Sequence, residues 1–348
     1  MKKGEAGFSL AELLIASVIL VISVGAVASV LRIGESLHGK TQEGLELQEN
    51  VRSALDFICR ELINTGSGIP YLTQINGSPA IAIPIGAKLG PLGQAVLTGS
   101  IYFVTPCDGA GQSVTVDGEG NNLPQPIRTD MLVFMGGMGD ARFVNQSAPG
   151  PSANWGELVY LEDNSIFAAG NVVLISNGFQ VSLGQITQIL SQGGLRFENG
   201  SDVLGLNAAG DSNNPNPNQS AAAQIPGGPP PQVYPLASIT YYIDATTNPA
   251  HPSLKRLANS AAGAAAGTAV ADDIENLQVI FQVDADANAT TPAIPIDAPT
   301  IDQLSLIRGA TVSITGRSHA QTGDPAYPDG HSRLTMSQTV FFRNNILR

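Results

Sequence analysis

From Phe8 to Leu31 the chain runs for 24 residues with Glu12 as its only charge. As an α-helix such a stretch is about 36 Å long, enough to cross the hydrocarbon core of a bilayer. Lys2 and Lys3 precede it, which keeps the N-terminus on the cytoplasmic side and sends the rest of the chain outward. A secretory signal peptide does not fit, because Gly25-Ala26-Val27-Ala28 leads into more apolar residues instead of a mature polar start. A plain membrane anchor explains the length but not Glu12, since a carboxylate is costly in lipid unless something pairs with it.

The residues around that acid resemble a known signal. Gly7-Phe8-Ser9-Leu10-Ala11-Glu12-Leu13-Leu14 is similar to the class III signal of type IV prepilins and type II secretion pseudopilins. The resemblance implies that a prepilin peptidase cuts after Gly7, releasing residues 1–7 as a leader. It implies that Phe8 becomes the N-methylated terminus and that Glu12 is the fifth residue of the mature chain. Residues 8–31 are then the transmembrane and filament-core helix. A carboxylate in a first helical turn suits the helix dipole, and a buried one needs a cation. The resemblance supplies that cation as the terminal amine of a neighbouring subunit; the plainer reading has Glu12 snorkelling to the interface. Loss of Lys2, Lys3 and Glu5 with the leader makes an already acidic chain, of net charge −12, one unit more so.

No proline occurs before Pro70, so helix is expected to continue through residues 32–69 outside the membrane. Val51, Leu55, Ile58 and Leu62 fall on one apolar stripe, and Gly66, Gly68 and Pro70 mark its end. Gly34, Gly39 and Gly44 weaken the middle by about 1 kcal/mol each, which predicts a bend or a melted stretch there. Gly34-Glu35-Ser36-Leu37-His38-Gly39-Lys40-Thr41 fits a phosphate-binding G-x-x-x-x-G-K-[ST] loop. Such a loop needs a buried strand before it and access to nucleotide, whereas a membrane-length segment precedes this one. The segment therefore reads as polar helix.

Residues 70–348 change character. Short β-type runs separated by Gly, Pro and Asn clusters predict strands near residues 100–105, 130–135, 157–161, 171–176 and 179–183. Others are predicted near 238–243, 254–257, 277–283, 310–315 and 337–342. With 38 glycines and 23 prolines, much of this region must be turn and loop. Low-complexity stretches near 200–235, 258–271 and 284–299 bury too little apolar surface to offset their ordering entropy and are expected to be loops. The expected class is α+β: one long N-terminal helix packed on a mostly antiparallel β head with long loops.

Scattered segments of the head also resemble PilW-type minor pilins. They are Leu47 to Phe57 in the helix, Asn171 to Ser176 with Gln185-Ile186-Thr187, and Ser238 to Ile243 with Leu254-Lys255-Arg256. Asp273-Ile274-Glu275-Asn276-Leu277-Gln278-Val279 and the closing Thr339 to Asn344 complete the set. The resemblance implies a structural subunit of a type IV pilus that primes or caps assembly. Its partners would be the prepilin peptidase, other minor pilins and the major pilin, the assembly platform of the bacterial inner membrane, and a tip adhesin. The same signal fits the large minor pseudopilin of a type II secretion system, and less readily a membrane-anchored binding protein.

Chemistry-bearing motifs are sparse. Cys59 and Cys107 form no C-x-x-C pair; outside the cytoplasm they could join in a disulfide worth about 4 kcal/mol, or remain two separate thiols. His38, His251, His319 and His331 show no metal-ligand spacing, and His319 and His331 lie in polar turns expected at the surface. Asp284, Asp286 and Asn288 alternate like the start of a calcium loop, but the central glycine is missing and Pro295 stands where the closing glutamate belongs. A polar hairpin tip is the plainer reading, as turns are for Asp324 and Asp329. No nucleophile elbow or acid–base pair stands out, so no enzyme activity and no cofactor is expected. The acidic balance argues against direct binding of nucleic acid.

Overall fold

The structure is a computed structural model. It describes residues 10–65, 81–82, 104–137, 140–147, 157–202, 206–207, 221–258, 267–284, 293–300, 303 and 306–342. Helix α1 (Leu10–Ile63) runs 54 residues without interruption, about 80 Å. The helix is not melted at Gly34, Gly39 and Gly44, one of the two outcomes expected there. Three glycines cost only about 1 kcal/mol each, and with no proline the hydrogen-bond ladder closes through them.

Among the described residues eighteen strands follow. β1 (Ile81–Ala82), β2 (Val104–Cys107), β3 (Val114–Val116), β4 (Asn122–Ile127), β5 (Met131–Gly137) and β6 (Arg142–Phe143) come first. β7 (Leu158–Tyr160), β8 (Val172–Ser176), β9 (Val181–Gln185), β10 (Gln188–Ile189), β11 (Gly194–Arg196) and β12 (Gln232–Asp244) continue. β13 (Ser253–Ala258), β14 (Thr268–Asp272), β15 (Ile274–Val283), β16 (Ile294–Ile296), β17 (Ile307–Arg317) and β18 (Arg333–Phe341) end the series. The fold is α+β. Apart from the short parallel pair β1–β9, the described strand pairings are antiparallel.

β12 is the spine of the largest sheet. Its first half pairs with β8 on one edge and β6 on the other; its second half pairs with β13 and β5. Proline 235 sits where these neighbours change. Among the described pairings, Tyr234 and Pro235 are partnered only by β8, so a residue lacking an N–H is tolerated inside a long strand. This is why the strand begins inside the stretch expected to be loop. In the same way β14 lies in the Ala-rich stretch and pairs with β13, burying Ala271 against the helix core. β16 lies in the third stretch and pairs with β15.

A second sheet, in the order β16–β15–β17–β18, carries a clear alternation. Ala310, Val312 and Ile314 point into the core. Thr311, Ser313 and Thr315 point outward and meet Thr339, Ser337 and Thr335 of β18 at 2.7–2.8 Å, pinning the register with hydroxyl pairs. Asp130 joins the two sheets: its N–H donates to Leu277 O, and its carboxylate accepts from the N–H groups of Val279 and Gly109. Burial pushes its pKa up, and those same hydrogen bonds hold the rise in check.

The main core lies where α1 crosses the sheets and includes Leu132, Phe134, Tyr241, Leu277, Val312 and Ile314. A second core, distal to the helix, gathers Phe167, Val173, Ile175, Leu195, Phe197 and Val233 between β8 and the small sheet β10–β11–β7. β12 serves both.

Candidate functional site: an unpartnered helix and its anchor

Every described side chain from Leu13 to Gln42 is exposed, including Leu14, Ile19, Val24, Val30 and Leu37. Of the described residues, this one helix is long and apolar enough to cross a membrane. A helix that is apolar all round cannot be stable in water and needs lipid or other helices around it. Its hydroxyls do not oppose that placement. Ser17 donates to Leu14 O, Ser23 to Ile19 O and Ser29 to Gly25 O, each at 2.8–2.9 Å. Satisfied within the helix, they enter a lipid phase without unpaired donors.

The last third of α1 is anchored. Val51, Leu55, Ile58 and Leu62, the stripe legible in the sequence, are all buried, joined by Leu47, Ala54 and Cys59. Gly316 of β17 permits the close approach: a Cβ there would stand 2.5 Å from Val51 Cγ2 and 3.1 Å from Leu47 Cδ1. Polar contacts flank the stripe. Glu43 accepts the N–H of Ala320 at 3.2 Å, and Asn50 donates to Asp272 O at 2.5 Å. Glu61 takes a forked set of bonds from Arg256 at 2.9–3.1 Å and the Tyr241 hydroxyl at 2.5 Å. Burial, followed by this bond to Glu61, pushes the Tyr241 hydroxyl far above its ordinary range.

The predicted site residues fare differently. Gly7 and Phe8 lie outside the described residues, as do the flanks of the expected helix stop, Gly66, Gly68 and Pro70. Glu12 falls in the first turns of α1, and its side chain lies outside the described set. The phosphate-loop pattern Gly34 to Thr41 lies inside the unbroken helix, where the backbone N–H groups are already bonded within the helix. Cys59 is a free, buried thiol, its pKa pushed up to about 11 by burial and then by the charge of Asp56; this leaves it little thiolate. The Cys107 side chain lies outside the described residues.

Of the three calcium candidates, Asp284 is buried and ion-paired with Arg308 of β17, while Asp286 and Asn288 lie outside the described residues. The surface placement expected for His331 is corrected. Its ring is buried, with Nδ1 at 2.8 Å from Ser318 O, in a pocket that a Cβ on Gly118 would fill. Asp329 is likewise more than a turn residue. It is buried and grips Arg333 through two bonds of 2.6 and 2.9 Å, which hold its carboxyl down at about 2. Arg333 also bonds Glu275 at 2.7 Å, and fully buried Arg317 stands on the other side of Glu275.

One grouping has no local signal in the sequence: His251, Asp273 and His319 meet in space from three separate segments. Single residues 22 and 46 positions from Asp273 carry no periodicity, and only the turn chemistry around each hints at a fixed position.

Residues 2–28 match the prokaryotic N-terminal methylation motif. Neither the curated proteins nor the solved structures include a match to the chain. A methylation motif that leads into one membrane-length helix, itself seated on an antiparallel head, supports a type IV pilin-like protein anchored in the inner membrane and processed by a prepilin peptidase.

Proposed function

We propose that the protein is a minor pilin of the PilW type, a structural subunit that primes or caps a type IV pilus. The observation that carries this reading is the helix with two environments: bare and apolar from Leu13 to Leu31, docked on the head by a buried stripe from Leu47 to Leu62. Such a subunit rests in the bilayer by its first half and exchanges lipid for neighbouring helices on assembly. The head, on the far side of the membrane, docks on other minor pilins and the major pilin above the inner-membrane platform, within reach of a tip adhesin. Cleavage after Gly7 frees Phe8 for methylation, and Glu12 neutralises the terminal amine of an adjoining subunit. The scattered head segments that resemble PilW-type pilins favour this reading over the large pseudopilin of a secretion system.

Deletion with complementation tests it. A strain lacking the gene is expected to lose surface pili and keep type II secretion, and the wild-type gene restores pili. Gly7→Ala is expected to leave a full-length precursor in the membrane fraction, and Glu12→Ala to be cleaved normally yet fail to enter filaments. Lost secretion with normal piliation would transfer the protein to the secretion pseudopilus. A mature-length Gly7→Ala product by mass spectrometry would remove the prepilin reading altogether.

A further inference from the structure

His251 follows the turn between β12 and β13, Asp273 is the single residue between β14 and β15, and His319 opens the loop between β17 and β18. Asp273 Oδ1 lies 2.6 Å from His251 Nδ1, and Oδ2 lies 2.8 Å from His319 Nδ1. The two imidazoles stack with centroids 4.5 Å apart. One ligand atom from each of the three residues falls within 4.8 Å of the other two. Asp273 also holds φ at +56°, a left-handed conformation that costs a non-glycine residue on the order of 1 kcal/mol. Its carbonyl is held there by the Arg317 N–H at 2.9 Å.

In the hydrogen-bonded arrangement each ring offers its Nδ1–H to one oxygen of a single buried carboxylate. A divalent cation at the shared point would instead take the Nδ1 lone pairs and a carboxylate oxygen, with each imidazole kept neutral and its one proton carried on Nε2. Two imidazoles with one carboxylate suit zinc and related transition ions, whereas calcium and magnesium prefer all-oxygen sets. The surroundings favour a cation as well: Glu43 of α1 and Asp272 add their negative charge at His319. Arg317 opposes from the buried side, but its guanidinium bonds to Ala250 O and so steadies the neighbour of His251.

We propose that His251, Asp273 and His319 form a binding site for Zn²⁺ or a similar divalent transition ion. His319 is largely exposed, so at least one coordination position faces solvent. The ion would tie the β12–β13 turn, the β14–β15 junction and the loop after β17 into one unit. That loop also bonds α1 through Ala320 and Glu43, so the site stiffens the place where the head leaves the membrane helix.

The test uses the full chain in detergent micelles with Co²⁺ as a spectroscopic probe. Saturable binding of one equivalent is expected, with the ligand-field bands of a low-coordinate ion, displaced by Zn²⁺ and accompanied by a higher Tm. His319→Ala and, separately, His251→Ala are expected to weaken binding at least ~100-fold, with unchanged circular dichroism. His38→Ala, on the exposed helix, is expected to bind as the wild type does. Absence of saturable binding, or equal affinity in the folded His319→Ala and His251→Ala proteins, would overturn the site.

Discussion

The two ends of α1 share one backbone, yet they are built for different surroundings. From Leu13 to Leu31 the apolar side chains cover the whole circumference and are all exposed. From Leu47 to Leu62 most of them gather on one buried stripe, with Arg52, Ser53 and Arg60, and Phe57 among the apolar residues, left exposed. The difference teaches that the distribution of apolar residues around a helix, as well as their number, says what will cover it. An all-round surface suits lipid or a ring of like helices; a stripe suits one fixed partner.

Paired substitutions break or sharpen that contrast. Ile58→Ala empties a fully buried position and is expected to cost the head about 3 kcal/mol in denaturant unfolding in detergent. Ile19→Ala on the bare half should change it by less than ~0.5 kcal/mol. Equal effects would mean that the two halves are not energetically separate. Acid is the next probe, since the head holds its charges in pairs. Asp329 has a folded pKa of about 2, below its unfolded value. Its contribution, on the order of 2 kcal/mol, is therefore complete above about pH 4 and is lost as pH falls through about 2. Head stability should drop across that window, and Asp329→Asn should flatten the drop; an unchanged acid profile in the variant would count against the Arg333 pairing. A smaller loss than either Ile58→Ala or acid is expected from Glu61→Gln, which keeps the shape of the forked contact with Arg256 but removes its charge. About 1 kcal/mol is expected, because both groups are partly solvated. A loss as large as that of Ile58→Ala would place the polar clamp above the apolar stripe in holding the helix.

The sequence made the helix, its docking stripe and the principal strands legible through local patterns. The stripe has the helical period, β15 and β17 alternate with a period of 2, and β5 and β8 are unbroken apolar runs buried on both faces. β14 could not be read in this way, since Thr268-Ala-Val-Ala-Asp272 carries too little apolar contrast and is a strand because β13 offers it an edge. The first half of β12 was hidden by Pro235, which is tolerated only through the change of neighbours at that point. Asp284 looked like a loop acid because its cation, Arg308, is distant in sequence, and Asp329 because a four-residue spacing to Arg333 outside a helix carries no pairing signal. The His251–Asp273–His319 group is the extreme case, with three residues brought together from separate segments of the chain.

The way the helix seats on the head also fixes how the protein responds to force. A pull along α1 does not peel residues away one at a time. It loads Glu43, Asn50, the buried stripe and Glu61 together, in shear, over about 30 Å of helix. Val51 is keyed against Gly316, so sliding requires that side chain to climb over neighbouring Cβ atoms. The joint between membrane helix and head therefore shares an axial load over all of these contacts at once.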